Sequence, residues 1–72
     1  MDPEAAWNEM LEAIAEGNLA DAKLCAESLL RWLERDGFAP QTVKRSIPSE
    51  WNRLICDHVC REVLRAVNRS RE

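Results

Sequence analysis

Residues 16–37 read "EGNLADAKLCAESLLRWLERDG". Apolar residues recur there at Ala22, Cys25, Ala26, Leu29, Leu30, Trp32 and Leu33. Steps of three and four place these side chains on one broad stripe of an α-helix. Gly17 can take the left-handed conformation that ends a preceding helix at no steric cost. Asn18 can cap the next helix, with Asp21 three residues on. A two-residue Gly-Asn turn makes the chain reverse, so this stretch is predicted to be the second arm of an antiparallel αα-hairpin, spanning residues 19–35. Gly37 is expected to stop it, with Phe38 supplying the apolar contact that often follows such a stop. Leu24 lies off the stripe, near Glu27, Ser28 and Arg31.

The first arm is predicted over residues 3–16. Asp2 can cap it, Pro3 suits its first position, and Glu4 sits at the positive end of the helix dipole. Trp7, Met10, Leu11 and Ile14 recur at helical spacing, with Glu9, Glu12 and Glu16 sharing another side. A run of carboxylates at these steps reads as a solvated face before it reads as a site.

Beyond the hairpin, "FAPQTVKRSIPS" (residues 38–49) is a connector punctuated by Pro40 and Pro48. Residues 41–45 suit either one helical turn or an extended crossover. A third helix is predicted over residues 48–69, with the last residues, 68–72, fraying. Trp51, Ile55, Val59, Val63 and Val67 make an i+4 ridge, with Cys56, Cys60 and Leu64 beside it. That is an apolar face wide enough for two covering helices. Helical periodicity runs throughout, with no alternating runs and no internal repeat. The fold class is all-α: a single three-helix domain over residues 1–72, an N-terminal αα-hairpin plus a long C-terminal helix after the Pro-punctuated connector.

At 72 residues the core is marginal, which favours a partner subunit. Charge is unevenly spread. Residues 1–36 hold nine acids and three bases, and residues 37–72 hold four acids and seven bases. Halves of opposite sign attract within one chain or between two. Three cysteines cannot all pair, and reduced thiols fit the cytoplasm. The acidic start and the lack of a long apolar run argue against a signal peptide and a membrane span.

"CDHVC" (residues 56–60) looks most like chemistry. On a helix Cys56 and Cys60 share a side, while His58 projects to the opposite one. Even with Cys25 the thiols number three, short of the usual four ligands of structural zinc, so no metal or cofactor is expected. A Cys–His nucleophile pair fails on the same geometry, and no nucleophile elbow, P-loop or dinucleotide fingerprint is present. The three cysteines are expected to act as small hydrophobes, and the chain is not expected to be an enzyme.

His58, Arg61, Arg65 and Arg69 fall on one side of the third helix. They are the candidates for gripping an acidic partner or phosphates. A helix-turn-helix reader of DNA would need a shorter turn than residues 37–48 allow, and the acidic first half opposes it. Trp7, Leu24, Trp32, Trp51, Val63 and Val67 are the interface candidates, the tryptophans as large anchors.

"EGNLADAKLCAESLL" (residues 16–30) resembles the turn and second helix of a tetratricopeptide unit, through Gly17, Asn18, Leu19 and Ala22. Trp7 stands one residue out of that register, and no second repeat follows. The resemblance implies a helical hairpin that makes protein–protein contact. "LLRWLERDGFAP" (residues 29–40) is similar to a stretch in short bacterial proteins and brings no function with it. Together these readings point to a protein–protein interaction or assembly module, with self-association as the first expectation. A nucleic-acid-associated regulator ranks second and a thiol or metal module third.

Overall fold

The computed structural model describes residues 1–70, and three helices account for most of them: α1 (Pro3–Ala15), α2 (Leu19–Glu34) and α3 (Ser49–Ser70). Residues 71–72, the end of the stretch expected to fray, lie outside the described residues, and residues 68–70 are helical. Asp2 caps α1, its carboxylate accepting from the N–H groups of Glu4 and Ala5 at 3.1 and 3.2 Å. α1 ends in a Schellman turn: Asn18 N–H donates to Ala13 O, and Gly17 N–H to Ile14 O. Gly17 is left-handed there, with φ of +75°. Asn18 then caps α2 by accepting from Asp21 N–H, and its amide donates to the Asp21 carboxylate at 2.8 Å.

α2 is the central element. α1 packs on it from one side and α3 from the other. Ala22, Ala26, Leu29 and Leu33 form its buried stripe, against Trp7, Met10 and Ala13 of α1 and Cys56, Cys60 and Val63 of α3. α1 and α3 touch sparingly, with Met10 reaching Cys60 at 3.9 Å between sulfurs.

The end of α2 departs from expectation. The left-handed residue is Asp36, at φ 60°, and not Gly37. Gly37 takes the next position, where its N–H donates to Trp32 O at 2.9 Å and Asp36 N–H donates to Leu33 O. Glycine is needed at 37 because the Trp32 indole lies flush against it, so that a Cβ would overlap the ring. Trp32 itself fills the apolar role expected of Phe38. Its indole N–H donates to Phe38 O at 2.7 Å, and the Phe38 ring turns outward, 85% exposed.

Residues 41–45 are non-helical. The connector is nevertheless held. Pro40 is fully buried, and Thr42 donates through both its N–H and its hydroxyl to Asn52 Oδ1, at 3.1 and 2.8 Å. Arg53 donates to Leu33 O at 2.8 Å, placing a cation at the negative end of α2. These bonds tie the start of α3 to the end of α2, which makes the two helices antiparallel.

They also set the rotation of α3. Its buried residues are Asn52, Cys56, Cys60, Val63 and Val67. The ridge from Trp51 to Val67 is not a single face, because each i+4 step overshoots a full turn by about 40°. Four steps carry the ridge from the outside at Trp51, through half-buried Ile55 and Val59, to the core at Val63 and Val67.

The two residues at the end of α2 make separable predictions. Gly37→Ala should lower unfolding free energy by about 1–3 kcal/mol through the clash with Trp32. Asp36→Gly should leave it unchanged or raise it by up to about 1 kcal/mol, by relieving the left-handed strain. Urea unfolding of the two variants checks both, and the opposite order would mean that Gly37 serves backbone conformation alone.

Candidate interaction surface

The "CDHVC" stretch splits between two faces of α3. Cys56 and Cys60 are fully buried, their sulfurs 4.0 Å apart in a shared hydrogen bond, and His58 is exposed on the far side. Cys25 is half-buried between α1 and α2, 4.0 Å from Glu9 Oε2. Among the described residues no group of three His, Cys, Asp or Glu side chains is placed to hold a metal ion. Burial pushes the Cys25 thiol above its ordinary value, helped by the nearby charges of Glu9 and Asp21. Cys60 is pushed up by its hydrogen bond with Cys56 and by burial, and so holds its proton.

The interface candidates separate equally clearly. Trp7, Val63 and Val67 are buried within the chain and belong to its core, and Trp32 is half-buried against Gly37. Leu24 and Trp51 are on the surface, 63% and 57% exposed. The sequence reading missed Leu54, which is 61% exposed. The signal was available: Leu54 stands three residues after Trp51 and four before His58.

Trp51, Leu54, His58, Arg61, Arg65 and Arg69 form one row along the outside of α3, at steps of three, four, three, four and four. Its first turn is apolar and the remainder basic. Arg61 donates to Asp57 at 3.0 Å and Arg65 to Glu62 at 2.7 Å, so the arginines pair within α3 and not with the glutamates of α1. Both pairs are largely exposed and add little stability.

A second surface lies across the hairpin. Glu9 and Glu12 of α1, Glu16 at its C-cap and Asp21 of α2 line an open groove of about 420 Å³, together with Ala13, Leu24 and Cys25. Asn18 orients Asp21 there.

The thiols give a direct check on this arrangement. One thiol per chain, Cys25, should react with an aromatic disulfide reagent in native buffer, and slowly, and all three should react in denaturant. The sign of the pH effect follows from the raised folded values. Unfolded thiols ionise above about pH 8.5 while Cys25 and Cys60 keep their protons, so the stability those two contribute below that pH should decline as pH rises past it; Cys56, held below its ordinary value by its hydrogen bond with Cys60, acts in the opposite sense and reduces the decline. Urea midpoints at pH 7 and pH 10 measure the decline.

No protein-family model matches this chain, and no curated protein or solved structure matches it.

Proposed function

We propose that this protein is a helical assembly module that associates with itself through the outer face of α3. The observation that carries this reading is the pair Trp51 and Leu54, both more than half exposed on one face of a helix whose opposite face is already satisfied by α2. Large apolar side chains are expensive to leave in water, at about 25 cal/mol per Å². A tryptophan beside a row of arginines has the composition of an interface anchor, since both residue types are enriched where binding energy concentrates. A core from only three helices gives the same chain a reason to gain burial by association.

The nucleic-acid reading is weaker. The chain as a whole carries a net charge of −3, and its first half is strongly acidic, which repels a phosphate backbone.

Sedimentation of the purified chain across a wide concentration range is the test. The wild type should associate, and Leu54→Glu should weaken association about tenfold or more with helical circular dichroism unchanged. A Leu54→Glu variant that associates like the wild type would sink the α3 face as the docking surface.

A further inference from the structure

The groove between α1 and α2 is the chemical complement of the α3 row. The row presents His58, Arg61, Arg65 and Arg69, with Trp51 and Leu54 at its start. The groove presents Glu9, Glu12, Glu16 and Asp21, with the exposed Leu24 beside them. The spacings agree as well. Glu9, Glu12 and Glu16 stand at steps of three and four along α1 and its C-cap, and His58, Arg61 and Arg65 stand at steps of three and four along α3. Each trio spans about 10 Å of helix at about 1.5 Å per residue. Among the described residues none of the four groove carboxylates has a basic side chain in salt-bridge contact.

The two surfaces cannot meet within one chain. The groove lies on the hairpin, and the α3 row points away from α2, whose stripe holds the other face of α3. Parallel pairing of one α3 row with another would set arginine against arginine, which is costly, and antiparallel pairing would set Arg65 and Arg69 against Leu54 and Trp51 with no carboxylate of the row to receive them. We infer that the occupant of the α3 face is the α1–α2 groove of a second copy, so that the chain associates head to tail: α3 of one copy lies along Glu9, Glu12 and Glu16 of the next. This inference rests on the self-association proposed above and adds the surface that receives α3. A contact between two different patches closes only if its rotation returns on itself, and otherwise continues as an open chain of subunits.

Sedimentation of the full chain carrying charge reversals on either surface tests this. Glu12→Arg with Glu16→Arg, and separately Arg61→Glu with Arg65→Glu, should each weaken association about tenfold or more, and added salt should weaken the wild type in the same direction. All four substitutions together restore opposite charges and should return association to within about threefold of the wild type. Circular dichroism monitors folding, and Arg61→Gln with Arg65→Gln replaces the reversed pair if helicity is lost. Loss of association in the arginine variants with none in the glutamate variants would overturn the groove as receiver and leave the α3 face as a docking surface. Failure of the fourfold variant to recover would likewise overturn the groove. A wild type that stays monomeric at the highest concentration would overturn both readings.

Discussion

Everything in this molecule depends on α2 serving two neighbours with one stripe. Ala22 and Ala26 are completely buried at its centre, and their small side chains let α1 and α3 approach closely from either side. The larger groups come from the flanks, with Met10 of α1 meeting Cys60 of α3 at 3.9 Å and Cys56 lying 4.0 Å from Cys60. Sulfur suits such a junction, because a polarizable and adaptable group fills an irregular space that branched side chains would strain. The consequence is an architecture in which α1 and α3 barely pack on each other. Each keeps an outer face with no helix of its own chain to cover it.

The connector decides which face of α3 that is. A polar pairing of half-buried Thr42 with buried Asn52 stands one residue from Trp51 and turns it outward. Breaking such a bond leaves buried groups unsatisfied at about 1–3 kcal/mol. A rotation of α3 that buried Trp51 would incur that penalty and also move Arg53 away from the end of α2. Specificity of rotation thus comes from two polar contacts at one end of the bundle, while the apolar contacts supply most of the cohesion.

The hairpin was legible in the sequence because its signals are local. Gly17, Asn18 and Asp2 each act within four residues of themselves, and all three do what their chemistry suggests. Gly37 was misread because glycine has two uses. The sequence cannot distinguish a left-handed backbone from a close approach, and here the approaching group is the Trp32 ring. Trp51 was misplaced for a geometric reason: an i+4 ridge looks straight in text but winds around a helix over four steps. Asn52 went unseen because a polar residue carries no hydrophobic signal. Only its register with Cys56, Cys60, Val63 and Val67 betrays its burial. The separation of the cysteines from His58 was legible, since two residues on a helix suffice to reverse a direction.

The division of labour along α3 follows from where charge and apolar area sit. In the proposed self-association Trp51 and Leu54 hold the apolar area and would supply the affinity, whereas Arg61 and Arg65, exposed and already paired with Asp57 and Glu62, would add little to it. What arginines in that position do well is discriminate. In the proposed contact a receiving surface with carboxylates would be favoured, and a basic one would be rejected by repulsion at no cost to the fold. A row with its anchor at one end and its charge at the other also has a direction.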